Sequence, residues 1–348
     1  GMLQNIIPRL AAEIKFRTLQ KEAKTAKEAG KVTSLHYHPV KSLRAVLSRR
    51  SIALDAKGFQ DDRRYMIVYP LPLPIYKASF DATDSTHRFF TQRQCPSLAT
   101  VTATLQDEDG TLSLQCDKRK ITIPREPPAK AKKMLAGLWS AQVEVLDMGD
   151  RVAQFLQEIV DSDPDCCAGD EGTDGAPATS MYKGIRLVAH TANDRRTNPK
   201  YTPVMARSWL TNQTPTTSLT DGYPVLIACQ ASLDELNRRL KANGKEEIPM
   251  SRFRPNIVIE GTEPFAEDAW KTISVGNQLF AIVKACPRCK QACTDQVTGK
   301  VSSEPLETMK EFRALSETND TDVFFAQNAI PIGTPASVSI DDTVRVLE

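Results

Sequence analysis

The feature that most constrains this fold is a change of period near residue 32. Before it, Leu3, Ile6, Ile7, Leu10 and Ile14 recur at helical spacing, and the chain then turns charged through 21–27. After it, apolar runs are short, alternate in polarity and end at Gly, Pro, Asp or charged turns. They fall at 33–38, 51–54, 64–68, 99–105, 111–115 and 121–123. A period of two puts successive side chains on opposite faces, which suits half-buried strands and not helices. Asp109-Gly110 lies between two such runs as a hairpin turn. These residues predict a helical extension over 1–30 that packs one face on the body, then a mostly antiparallel β-rich domain over 31–160. Within it, 70–75 is too proline-rich for a central strand. With the polar stretch 79–87 it reads as one long loop.

A short helix is expected at 151–160. Residues 161–180 are acidic, contain Gly and Pro and are nearly free of large hydrophobes. Such a stretch cannot bury enough apolar surface to hold itself in place, so it is expected to be a flexible linker. The Cys166-Cys167 pair inside it reads as incidental. A second domain is expected over 181–348. Its strands are predicted at 185–190, 223–228, 256–260, 273–275, 278–284, 338–339 and 344–347, and its helices at 232–240 and 305–313. Ser232 with Glu235 three residues on fits a capping box. A polar, arginine-rich loop occupies 193–201. No internal repeat is visible.

Charge and cysteine use exclude some functions. Forty-five basic against 43 acidic residues leave a formal charge of +2, which gives no reason to expect nucleic acid as a partner. Eight cysteines in 348 residues are too sparse for a secreted disulfide scaffold, so reduced thiols in an intracellular protein are expected. No apolar run reaches the roughly 18 residues of a membrane span. Gly1 ahead of Met2 reads as a remnant of a fusion, so any membrane anchor is expected only in a native segment preceding this sequence.

The densest chemical signal is 284–294, KACPRCKQACT, with Cys286, Cys289 and Cys293 among Lys284, Arg288 and Lys290. Cations beside a thiol favour the thiolate, the form that binds metals. Structural zinc needs four ligands, and the four histidines are remote and unpatterned. An iron–sulfur cluster needs a fourth thiolate, from Cys229 or Cys116. A third reading uses one thiolate on a metal held mainly by its own organic cofactor. Two further signals concern anions. Arg254 and Asn256 in SRFRPNIVI offer a guanidinium fork beside a carboxamide. Lys41-Ser42 and the Asp61-Asp62-Arg63-Arg64 cluster can meet an oxyanion or be solvated turns.

In their order along the chain these pieces resemble the MOSC superfamily, and within it the mitochondrial amidoxime-reducing components. The resemblance runs from about Val32 to Leu347. It is carried by YHPVKS at 37–42, DRRYMIV at 62–68, Arg93 and Pro96, FRPNIVI at 253–259, FAEDAW at 265–270, ACPRC at 285–289, Thr298-Gly299 and EPLET at 304–308. It implies an α+β fold that is mainly β: a barrel-like MOSC domain and a β-rich N-terminal domain with the cofactor site between them. It implies a molybdenum cofactor whose metal is bound by Cys289. Lys41, Ser42, Arg63, Arg254 and Asn256 would hold the pterin and its phosphate, and Asp221 would stand beside the metal, with Gly222 and Tyr223 next to it. The superfamily also carries an association with pyridoxal phosphate, to which no residue here is assigned. The implied reaction is reduction of N-hydroxylated compounds such as amidoximes and hydroxylamines. With no dinucleotide, haem or ferredoxin motif in the chain, electrons would come from cytochrome b5 and its NADH-dependent reductase. The implied location is mitochondrial, at the outer membrane, or cytoplasmic. A non-catalytic cofactor carrier or sulfur-relay module is the alternative. The chain departs from the family after Cys289, where KQACTDQ replaces the usual Thr-Thr-Val-Asp-Pro, and beside Asp221, where small hydroxyl residues are usual.

Overall fold

The computed structural model describes residues 3–48, 50–55, 57–71, 85–139, 141–166, 182–191, 196–197, 216–314, 322–333 and 335–347. They form two closed β-barrels with helices on the outside, the mainly-β α+β arrangement expected.

The first barrel has five strands. Around the ring they are Lys133–Leu138, Ala141–Asp147, Arg186–His190, Tyr65–Pro70 and His87–Phe89, and the last pairs in parallel with the first. Tyr65–Pro70 shows why its alternation is weak. Met66 and Val68 face a core with Phe89, Met134, Val143 and Val145. Tyr65, Ile67 and Tyr69 face a second core shared with helix α2 (Asp150–Ser162). A strand covered on both faces reads as a continuous apolar run. In α2, Val152, Phe155, Leu156, Ile159 and Val160 form one apolar stripe. Each such side chain contributes about 1.5–3 kcal/mol on burial. The antiparallel sheet Thr102–Gln106, Thr111–Cys116, Arg119–Pro124 completes this half. Its first turn has Gly110 at φ +62°, as the Asp-Gly pair predicts.

The second barrel is a ring of seven strands. They run Glu28–Tyr37, Ile257–Glu260, Val225–Cys229, Val323–Ile332, Gln278–Arg288, Thr272–Val275, Thr343–Val346 and back to the first. Val32, Leu35, Ile227, Ile257, Ile273, Phe280 and Val344 fill it. Gly30 sits where the ring closes: a Cβ there would lie 2.2 Å from the Glu260 carbonyl oxygen, so only glycine fits. Helix α3 (Gln230–Ala242) lays Leu233, Leu236 and Leu240 against Phe253, Phe325 and Met309. The last helix is α4 (Leu306–Lys310).

Several expectations are corrected. Strand Glu28–Tyr37 lies in the second barrel and Arg186–His190 in the first, so the strands do not divide at 161–180. Composition marks where a chain can bend, not which strands pair. Helix α1 is Leu3–Thr25, shorter than expected because the next strand already begins at Glu28. Its Phe16 and Leu19 pack on Leu279, Ala281 and Ile332. Helix α2 continues into the expected linker, and Asp163 there accepts hydrogen bonds from the Cys95 thiol (3.2 Å) and the Ser97 amide (2.9 Å). Cys166 is buried; 167–180 lie outside the described residues, as does most of the 193–201 loop. The loop expected to reach His87 ends earlier, since His87 opens a strand. The capping box does not form. Helix α3 begins at Gln230, so Ser232 is inside it and bonds Glu267 instead, at 2.9 Å to each oxygen. Among the described residues no helix is long and apolar enough to cross a membrane.

Candidate functional site

Where the barrels meet there is a cleft with a cavity of about 150 Å³ that opens to solvent. Lys41, Ser42 and Arg63 line it from the first barrel's side. Arg252, Phe253, Arg254, Asn256 and Cys286–Cys289 line it from the second, together with Asp221, Gly222 and Tyr223. All nine residues singled out from sequence therefore meet in one cleft. They do so through strained backbone. Ser42 (φ +66°), Arg63 (φ +49°) and Arg254 (φ +55°) are all left-handed, at about 1–3 kcal/mol each. Strain of this kind persists only where the surroundings over-determine it.

Two arginines set the electrostatics. Arg63 is ion-paired with buried Asp62 and reaches Asn256 Oδ1 (3.4 Å) and the Arg254 carbonyl (3.5 Å). Asp62 in turn accepts from the His38 amide (2.6 Å). Asn256, 1% exposed, is consumed structurally: Oδ1 accepts from the Leu226 amide (3.0 Å) and Nδ2 donates to the His36 carbonyl (3.2 Å). Arg254 is different. It is 8% exposed, and its side chain bonds a neutral acceptor, Gln296 Oε1, at 3.1 Å. Among the described residues no carboxylate lies within ion-pair range of it. Desolvation first, then Arg63 and Arg288 nearby, lower its pKa to about 9, against some help from Asp62 and Asp221. A buried guanidinium without a carboxylate, facing a cleft, has the chemistry to pair with an anion.

Asp221 stands at the mouth. Its Oδ1 accepts from Lys41 Nζ and from Trp139 Nε1, the latter at 2.8 Å. Desolvation pushes its carboxyl up, but Lys41, Trp139 and Arg93 outweigh that and hold it well below the usual carboxylate range. The side chain keeps 62% of its accessible surface; it reaches solvent through the mouth while protein surrounds it on the other sides. It is an ionised acceptor, not a proton donor, at neutral pH.

The three thiols separate cleanly. Cys293 is buried and donates to the Ser303 carbonyl (3.4 Å), outside the cleft. Cys286 is half-buried at the end of Gln278–Arg288, and burial raises its pKa. Cys289 is exposed in the cleft, where the strand gives way to a 3₁₀ turn. Among the described residues no three His, Cys, Asp or Glu side chains gather to hold a metal. Nothing among the described residues there supports the zinc or iron–sulfur readings. Sequence reasoning missed Trp139 and Gln92 and gave Gln296 no role. Each acts through a contact between segments far apart in the chain.

A model described as the MOSC N-terminal beta barrel domain matches residues 29–163, and one described as the MOSC domain matches 214–345. The chain is a MOSC protein. Over 302 residues this MOSC chain is 28% identical to mitochondrial amidoxime reducing component 2 of Rattus norvegicus, covering 85% of this chain and 76% of the relative. It is 25% identical over 329 residues to mitochondrial amidoxime-reducing component 1 of Homo sapiens, covering 92% and 84%. A molybdenum cofactor sulfurase of Pyricularia oryzae is 33% identical over 131 residues, which is 34% of this MOSC chain and 15% of the sulfurase.

Proposed function

We propose that the cleft binds a molybdenum cofactor and that the protein reduces N-hydroxylated compounds with electrons from an external donor. One observation carries the reading: Arg254 is a buried guanidinium without a carboxylate partner, in the same cleft as the exposed thiol of Cys289. A pterin cofactor brings its own dithiolene and phosphate, so the protein need add only one soft ligand and a set of cations. Cys289 is that ligand. Arg254 and Arg63 take the phosphate, with Ser42 beside them. When bound, the cofactor supplies a centre that exchanges two electrons and takes up oxygen.

The chain's own groups do the rest. Lys41 holds Asp221 ionised at the mouth, and Trp139 fixes the same oxygen. Asp221 then accepts hydrogen bonds from the N–H or O–H groups of an entering amidoxime or hydroxylamine and orients it. Lys41 holds protons near the departing hydroxyl. The balance is two electrons and two protons per N–OH, giving N–H and water. Electrons come from a partner of the cytochrome b5 type, itself reduced by an NADH-dependent reductase, and the names of the relatives support a mitochondrial setting.

The test is metal and pterin analysis of protein made in a cofactor-competent host, with N-hydroxy substrate turnover. Cys289→Ala is expected to lose molybdenum and activity while folding normally, since the side chain is exposed. Molybdenum and turnover retained in that variant would overturn the assignment. The similarity to a sulfurase segment supports a second reading, a cofactor carrier or sulfur relay. Cofactor bound without turnover on any N-hydroxy substrate would favour it.

A further inference from the structure

Gln92 and Gln296 stand 204 positions apart and meet as a reciprocal amide pair between the barrels. Gln92 Nε2 donates to Gln296 Oε1 at 3.1 Å, and Gln296 Nε2 donates to Gln92 Oε1 at 2.9 Å. Both are buried, at 1% and 2% exposure. The second hydrogen of Gln92 goes to the Ser42 carbonyl (2.8 Å) and that of Gln296 to the Thr294 carbonyl (3.0 Å). Gln296 Oε1 also accepts from Arg254 Nη1 at 3.1 Å. A guanidinium has only donors, so the atom it meets must be the oxygen, and that fixes the orientation of both amides.

Most buried arginines are compensated by a carboxylate. Here the acceptor is neutral. It aims the guanidinium without cancelling its charge, and the amide pair links that aim to the backbone of Ser42 and to the segment that follows Cys289. We propose that Gln296, braced by Gln92, is a positioning residue that presents Arg254 to the cofactor's phosphate with its charge uncompensated. The inference rests on the cofactor reading above for the identity of the anion, but not for the charge logic.

The test is Gln296→Glu in the full chain, which places a carboxylate on Arg254. Two quantities are read: molybdenum and pterin per chain after expression in a competent host, and the shift in melting temperature that inorganic phosphate gives the cofactor-free protein. The variant is expected to fold, to hold less than about a tenth of the wild-type molybdenum and to lose most of the phosphate response, because an internal ion pair competes with the anion. Wild-type loading and an unchanged phosphate response would overturn the proposal, as would losses no larger than the loss of folded protein. If the wild type itself carries no molybdenum, the cofactor reading fails, and the phosphate response alone decides this inference. Should Gln296→Glu not fold, Gln296→Met removes the acceptor without adding charge. It is expected to bind phosphate several-fold more weakly, and undiminished binding there overturns the proposal.

Discussion

Arg254→Met should make the cofactor-free protein more stable while destroying its grip on the anion. In the wild type the guanidinium is 8% exposed and burial draws its pKa down to about 9. Taken at face value, that depression is on the order of 4–5 kcal/mol against the charged form. Screening by the effective protein dielectric reduces it, and the variant forfeits the bond to Gln296, about 1 kcal/mol. A net gain of about 2 kcal/mol remains. A shift of roughly 4–8 °C in melting temperature follows for barrels of this size. The pH dependence has a definite sign. The folded-state pKa is depressed, so the unfolded chain holds the proton more tightly. The penalty is complete below pH 9 and fades as pH rises from there toward the ordinary guanidinium range. The gap between variant and wild type should therefore be widest at neutral pH and narrow above 9. Differential scanning calorimetry without phosphate, across pH 6–10.5, measures it, and added phosphate should stabilise the wild type alone. A variant that melts below the wild type in anion-free buffer would show that the charge is not a stored liability, and the anion argument would lose its basis.

Two further outcomes test the neighbouring groups. Asp221→Asn should leave stability unchanged at the lowest pH and lower it above about pH 4, because the carboxyl, depressed in the folded state, contributes only where it is ionised. Melting curves from pH 2 to 7 check this: the gap should shrink as pH falls below about 4, and a gap constant across that whole range would assign the effect to something other than the charge. Ser232→Ala should destabilise by about 3 kcal/mol in urea titrations, since it leaves the Phe265 amide and a fully buried Glu267 short of partners. A loss under about 0.5 kcal/mol would mean water replaces the hydroxyl.

The residues of the cleft were legible because motif order survives in sequence: Lys41, Arg63, Asp221, Arg254 and Cys289 all line it. Helix α2 and the Asp109-Gly110 turn were legible because local spacing fixes them. Strand Val323–Ile332 was not, although it pairs along both its neighbours. Its burial on both faces removes the alternation by which a strand is recognised. The hairpin Lys133–Leu138 and Ala141–Asp147 was missed because Gly137 and Ala136 carry little pattern. Ser232 misled for another reason. A hydroxyl before an apolar run signals a helix start, but here the backbone continues from Val225–Cys229 straight into the helix and the hydroxyl is drawn to Glu267. The amide pair of Gln92 and Gln296 leaves no local trace at all.

Glu28–Tyr37 closes the second ring from the opposite end of the chain, between Ile257–Glu260 and Thr343–Val346. A piece cut to residues 214–345 would thus expose two raw edges, each a template for another molecule's strand. Arg186–His190 is lent in the other direction, to the first ring. Each wall of the cleft therefore belongs to a ring completed by a strand from the far part of the chain, which ties the cleft's geometry to the completion of both rings.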